Sequence, residues 1–131
     1  RVDRRQRQMC IRDRYSHTRS RSIAKKCLDL GVQSPVKEEL DFSNIPNSMS
    51  ELLRTIACHD DALSKSVEQN RPNLFANQLL NLANSYNAFY RDCKVIQNGI
   101  VNQSYFAVSE VTSKLLESGM IGLGISPLEQ M

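Results

Sequence analysis

Apolar residues recur at three- and four-residue intervals along most of the chain, a pattern that predicts amphipathic helices. The clearest helix starts at Pro72, since proline is favoured in the first turn of a helix. One face of this segment carries the apolar positions Phe75, Leu79, Leu82, Ala83, Tyr86 and Phe89. We therefore expect residues 72–91 to form a long helix at the centre of the core.

A first helix is predicted over residues 15–30. Ile23, Cys27 and Leu30 are spaced three and four residues apart along one face, and Gly31 fits a C-terminal cap. Residues 31–48 contain two prolines and a polar cluster, so we expect a connecting loop there.

Two shorter helices are predicted next. One starts near Ser48, with Ser48 or Ser50 as the N-cap, and ends near His59. Asp60 is then expected to cap a short helix that runs through Val67.

The last long helix is predicted over residues 103–118, after a connection that contains Gly99. Gly119, Gly122 and Gly124 are expected to loosen the backbone that follows it. No segment shows sustained alternation of period two, so we expect an all-α fold, a bundle of about four to six helices.

The composition is that of one small domain without a membrane span. The chain has 131 residues, 40% apolar and 24% charged, with no tryptophan. No apolar run approaches the roughly 20 residues that cross a bilayer, and no signal peptide opens the chain. The four cysteines are far apart and form no C-x-x-C pair, so we expect free thiols in a reducing, cytoplasmic compartment.

The positive charge is confined to the N-terminus. The net charge is +3, of which residues 1–14 contribute +4 and residues 15–131 contribute −1. Residues 4–14 resemble a sequencing-library adapter translated in frame; the alternative is an arginine-rich arm that grips nucleic acid. We expect residues 1–14 to be foreign to the protein, disordered or a helical extension, and to pack against nothing. On this interpretation the domain covers residues 15–131, and the natural protein extends further upstream.

Catalytic patterns are weak. Cys58 and His59 are adjacent, and adjacent side chains diverge on a helix. There is no P-loop and no G-x-G-x-x-G, and neither histidine has the spacing of a metal ligand. A Cys–His pair assembled from distant residues stays open, but the residues by themselves indicate a helical domain with no catalytic or metal site.

Three stretches resemble a known family. Residues 15–19 read Y-S-H-T-R, residues 70–95 contain N-R-P, L-L-N-L-A, Y-N-A-F-Y and C-K-V, and residues 119–131 end in L-G-I-S-P-L-E-Q-M. Together they resemble the C-terminal DALR anticodon-binding domain of arginyl-tRNA synthetase, over essentially all of residues 15–131. Tyr86 departs from the family's phenylalanine, and Gln130 from its penultimate arginine.

The resemblance implies a parent enzyme that ligates arginine to tRNA(Arg) using ATP with Mg. The catalytic domain would lie upstream, so this fragment alone should be inactive and should hold no cofactor. Its partners would be tRNA(Arg) and the catalytic domain of the same parent chain, with no membrane and no DNA. The family's anticodon contacts map onto Tyr15, Arg19, Tyr90 and Met131.

Physical chemistry supports these contacts to different degrees. Tyr15 and Arg19 are four residues apart, so they share a helix face and could hold one base between ring and guanidinium. The alternative is that Tyr15 and Tyr90 are half-buried core tyrosines. His17 is expected to pack against the missing catalytic domain. Met131 is expected to cover a base face, with Leu128 anchoring the tail.

A function of another class remains open. The near-neutral charge of residues 15–131 fits a helical protein-interaction module slightly better, since nucleic-acid-binding domains usually carry a basic excess.

Overall fold

The computed structural model describes residues 4–124, with side chains from residue 11 onward. Within this range there are five α-helices, one 3₁₀ turn and one two-stranded hairpin. In chain order they are α1 (Arg4–Asp29), the 3₁₀ turn (Lys37–Glu39), α2 (Asn47–Ala57), α3 (His59–Glu68), α4 (Pro72–Asp92), β1 (Ile96–Gln97), β2 (Ile100–Val101) and α5 (Gln103–Gly122). The prediction of a helical bundle is confirmed. None of these helices is both long and apolar enough to cross a membrane.

Helix α4 lies at the centre of the bundle and contacts each of the other four helices. It begins at Pro72, as predicted. All six apolar positions predicted for its inner face are buried: Phe75, Leu79, Leu82, Ala83, Tyr86 and Phe89. The three- and four-residue spacing therefore identified the core of the domain correctly.

Helix α1 packs against α4 and α5. It begins at Arg4, so the described residues before Tyr15 form the helical extension that was one of the two expectations for them. Its buried stripe continues N-terminally to Asp13, whose side chain is only 2% exposed. Because the helix continues without a break, Asp13 lies one turn before Ser16 and His17, on the same inward face. The expectation that residues 1–14 pack against nothing is therefore wrong at Asp13.

The burial of Asp13 is unfavourable for its carboxylate. Its Oδ1 has no hydrogen-bond partner in the described part of the chain. Burial raises the pKa of Asp13 to about 7, because removal from water disfavours the charged form.

The N-terminal caps of α2 and α3 differ from prediction. Pro46, not Ser48 or Ser50, occupies the N-cap of α2, and the Ser48 hydroxyl instead donates to Asp92 on α4. Helix α3 follows directly after Cys58, so Asp60 lies in its first turn and not at its cap.

A short hairpin fills the connection before α5, where no strand was predicted. Ile96 pairs with Val101, and Gln97 pairs with Ile100. Asn98 and Gly99 form the turn with φ values of 53° and 74°. Asn-Gly is the sequence that favours this two-residue turn, but two-residue strands are too short to show an alternating pattern.

Helix α5 begins with a side-chain cap and continues beyond its predicted end. The Asn102 side chain accepts a hydrogen bond from the backbone N–H of Tyr105 at 3.1 Å. Gly119 and Gly122 lie within the helix, so they do not loosen the backbone as expected. Gly124 follows the helix with a φ of 78°.

Candidate functional site

Three of the four predicted site residues lie together, where α1 meets α4. The guanidinium carbon of Arg19 is 4.2 Å from the ring centroid of Tyr15 and 4.7 Å from that of Tyr90. Arg19 Nη2 also donates to the Tyr15 hydroxyl at 2.6 Å. Helix α1 supplies Tyr15 and Arg19 one turn apart, and α4 supplies Tyr90. We call these three residues the Tyr–Arg–Tyr cluster.

A hydrogen-bond network adjoins the cluster. Asn87 Oδ1 accepts from Arg19 Nη1 at 3.4 Å and from the Ser16 hydroxyl at 3.1 Å. The Ser16 hydroxyl also lies 3.2 Å from the backbone carbonyl of Ala83. Ser16 is fully buried where α1 packs on α4. The network therefore links this buried contact to the guanidinium of Arg19.

Asn87 was not among the predicted site residues. It lies within the Y-N-A-F-Y segment, three residues before Tyr90 and therefore close to the same face of α4. Its position near Tyr90 was the only sequence feature that could have indicated Asn87 as a site residue. The proximity of Asn87 to Arg19 depends on how α1 packs on α4, so periodicity along α4 could not reveal it.

Tyr90 is supported from inside the bundle. Its ring centroid lies 6.3 Å from that of Tyr86, one turn earlier on α4. Tyr86 is fully buried, and its hydroxyl forms a 2.8 Å hydrogen bond with the Ser109 hydroxyl on α5. Burial raises the pKa of Tyr86, so it stays a neutral phenol. The family has phenylalanine at the position of Tyr86, and Ser109 provides a partner for the additional hydroxyl of the tyrosine.

The cluster differs from the predicted arrangement in one respect. We expected one base to fit between the Tyr15 ring and the Arg19 guanidinium, but those two groups already contact each other at 4.2 Å. An intervening base needs about 3.5 Å on each side. A base therefore does not fit between the Tyr15 ring and the Arg19 guanidinium in this arrangement, although Tyr15 is 42% exposed and Tyr90 is half-buried.

The charge of Arg19 is not neutralised by a neighbouring carboxylate. Among residues 11–124, its polar contacts are the Tyr15 hydroxyl and the Asn87 amide oxygen, and no ion pair involves it. Stacking on aromatic faces leaves the guanidinium positively charged. The site therefore combines one fixed positive charge with two aromatic surfaces.

The other two sequence-based expectations have separate outcomes. His17 is 2% exposed, and its Nε2 lies 4.0 Å from a carboxylate oxygen of Glu117 on α5. It is thus buried inside this domain, and its expected role at the surface facing the catalytic domain is wrong. Met131 and the Leu128 anchor lie outside the described residues.

The described residues include no candidate metal site. No group of three or more His, Cys, Asp or Glu side chains lies close enough to hold a metal ion in that part of the chain. Cys58 is exposed, whereas His59 is buried with its ring against Phe75 at a centroid distance of 5.2 Å.

Comparison with known proteins agrees with this architecture. The family model described as the DALR anticodon binding domain matches residues 14–131. An arginine–tRNA ligase of Archaeoglobus fulgidus is 33% identical over 120 residues, which cover 89% of this chain and 21% of the relative. That of Methanocaldococcus jannaschii is 31% identical over 116 residues, covering 86% of this chain and 20% of the relative.

The chain therefore spans about a fifth of the length of the curated relatives it matches. A third, the arginine–tRNA ligase of Thermococcus kodakarensis, is 31% identical over 122 residues and shows the same proportion, with 19% of its length covered. With a family model that matches all but the first thirteen residues, the chain belongs to the DALR anticodon-binding domain family.

Proposed function

We propose that this chain binds the anticodon stem-loop of tRNA(Arg) as the C-terminal domain of an arginine–tRNA ligase. The observation that carries the proposal is the Tyr–Arg–Tyr cluster, in which one guanidinium lies over two tyrosine rings. Single-stranded loops are bound by stacking splayed bases on aromatic or arginine planes, and each stack contributes roughly 1–3 kcal/mol. Family membership does not favour the alternative of a protein-interaction module.

In this proposal the three side chains have distinct roles. Bases stack on the faces of Tyr15 and Tyr90 that point away from Arg19. The guanidinium of Arg19 attracts phosphate and donates to base edges, since an arginine presents several N–H groups in fixed directions. Other parts of the parent enzyme supply the remaining contacts with tRNA. The weak net charge of residues 15–131 is therefore compatible with tRNA binding.

The parent enzyme is proposed to be a cytoplasmic class I ligase that joins arginine to tRNA(Arg). Its catalytic domain binds ATP with Mg and lies in the same parent chain. This chain contributes recognition, so by itself it should not activate arginine.

Met131 is proposed to contact the anticodon loop from the C-terminal tail. Removing only Gln130 and Met131 should lower affinity for a tRNA(Arg) anticodon stem-loop several-fold and leave the melting temperature of the bundle unchanged. Unchanged affinity would restrict the site to Tyr15, Arg19 and Tyr90.

The proposal is tested with Arg19→Ala and Tyr90→Ala in a full-length enzyme that carries this domain. Both variants should weaken aminoacylation of tRNA(Arg) and spare arginine activation by ATP, because the anticodon lies far from the reacting carboxylate. Arg54→Ala is the matched control, since Arg54 is an exposed α2 arginine paired with Glu51 on its own helix. An equal loss in both assays would indicate misfolding and would remove these residues from the site.

A further inference from the structure

We infer that Asn87 is a positioning residue that holds the Arg19 guanidinium between the two tyrosine rings. This inference deepens the proposed function, and its consequence for RNA binding rests on that function. Neither the family resemblance nor the relatives assign Asn87 a role; the geometry of this chain does.

Arg19 allows only one orientation of the Asn87 amide. Arg19 has only N–H donors, so the atom of Asn87 that faces Arg19 Nη1 at 3.4 Å must be the acceptor Oδ1. The opposite orientation would place two donor groups against each other. Arg19 thereby determines which way the amide points.

Ser16 supports that amide from inside the bundle. With Oδ1 directed to Arg19, the Ser16 hydroxyl at 3.1 Å can donate to the same oxygen, which has two lone pairs. Ser16 is fully buried between α1 and α4, so its own position is determined by packing. Buried Ser16 therefore restrains the Asn87 amide, and the amide in turn restrains the Arg19 guanidinium.

The Arg19 guanidinium needs more than the two tyrosine rings to hold it in one orientation. Arg19 carries a long side chain with many rotamers, and ordering it reduces its conformational entropy. The two tyrosine rings can restrain the guanidinium between their faces, but they exert little control over its rotation within that plane. The bond from Nη1 to Asn87 and the bond from Nη2 to the Tyr15 hydroxyl hold two of its edges. Together they determine which N–H groups point outward toward RNA.

Loss of the Asn87 side chain should affect the position of Arg19 and not the stability of the fold. In Asn87→Ala the Ser16 hydroxyl still has the Ala83 carbonyl at 3.2 Å as an acceptor, so no buried donor is left unpaired. The variant should therefore fold, and Arg19 should lose its restraint. Asn87→Asp keeps an acceptor oxygen at the same place, so the restraint on Arg19 should be retained.

The first experiment needs no RNA. In the free chain, NMR resonances of the Arg19 side chain should be shifted upfield, because its protons lie over the faces of two aromatic rings. Asn87→Ala should remove more than half of that shift, Asn87→Asp should preserve it, and the control Asn81→Ala should leave it unchanged. Asn81 suits this purpose because it is an exposed asparagine of the same helix. An unaltered Arg19 spectrum in Asn87→Ala would overturn the inference.

The second experiment measures affinity for a synthetic tRNA(Arg) anticodon stem-loop. Asn87→Ala should weaken binding several-fold when Arg19 is present and by less than about twofold in the Arg19→Ala background. The effects of two substitutions on affinity are not additive when both residues act through one contact. Equal losses in both backgrounds would show that Asn87 does not act through Arg19. If the wild-type chain does not bind the stem-loop, the proposed function fails, and the NMR result still decides the positioning of Arg19.

Discussion

Gly119 of α5 lies directly against Leu79 of α4. A Cβ placed on Gly119 would come within 2.5 Å of one Leu79 methyl carbon and 2.9 Å of the other. Leu79 is fully buried in the core, so its methyl groups cannot move without displacing other core side chains. The absence of a side chain at position 119 therefore allows α5 to approach the central helix closely.

Gly119→Ala should destabilise the domain by about 1–3 kcal/mol, the usual range for an overpacked core. Gly122→Ala is the matched control, because Gly122 lies in the same helix and a methyl group added there would meet no atom within 4 Å. The control should be neutral or stabilising by up to about 1 kcal/mol, since alanine favours helix more than glycine does. Thermal melts of the two variants check both values; equal melting temperatures would contradict the close contact.

Leu79→Ala should cost about 2–5 kcal/mol, as for other buried leucines. That loss approaches the whole stability of a domain of this size. Urea titration measures it, and a loss below about 1 kcal/mol would mean that α4 is not the central helix.

Asp13 should make the stability depend on pH. Its pKa is about 7 in the folded chain and 3.8 in the reference state, so the free energy of unfolding should be highest below about pH 4. It should fall as the pH rises toward 7 and level off above, because ionisation of the buried group favours unfolding.

Asp13→Val should remove this pH dependence and raise the free energy of unfolding at pH 8 by on the order of 2–4 kcal/mol. At pH 4 the difference from wild type should be much smaller. Asp29→Asn, at an exposed position of the same helix, is the control and should leave the pH profile unchanged. Parallel pH profiles for wild type and Asp13→Val would show that Asp13 is not buried.

The Tyr86–Ser109 pair should show strong coupling. Ser109→Ala should cost about 1–3 kcal/mol, because it leaves the buried Tyr86 hydroxyl without its partner. Adding Tyr86→Phe should recover most of that loss, since both polar groups are then gone. A double-mutant cycle of urea melts measures the coupling; additive losses would contradict the hydrogen bond.

The sequence by itself determined the helical class, the centre of the core and part of the Tyr–Arg–Tyr cluster. Pro72 and the apolar spacing from Phe75 to Phe89 define α4, because helix periodicity is a local property of the chain. The four-residue spacing of Tyr15 and Arg19 likewise placed them on one face, where they meet.

Only the tertiary structure showed which residues of α4 contact Arg19: Tyr90, which the family resemblance had named, and Asn87, which it had not. Tyr90 and Asn87 contact Arg19 because α1 packs on α4 at one particular register, and that register depends on contacts between residues far apart in the chain. The same holds for Asp13, whose burial follows from the faces that α4 and α5 present to α1. Local patterns specify which side of a helix is apolar, but the neighbours of a polar side chain are determined by how the helices pack together.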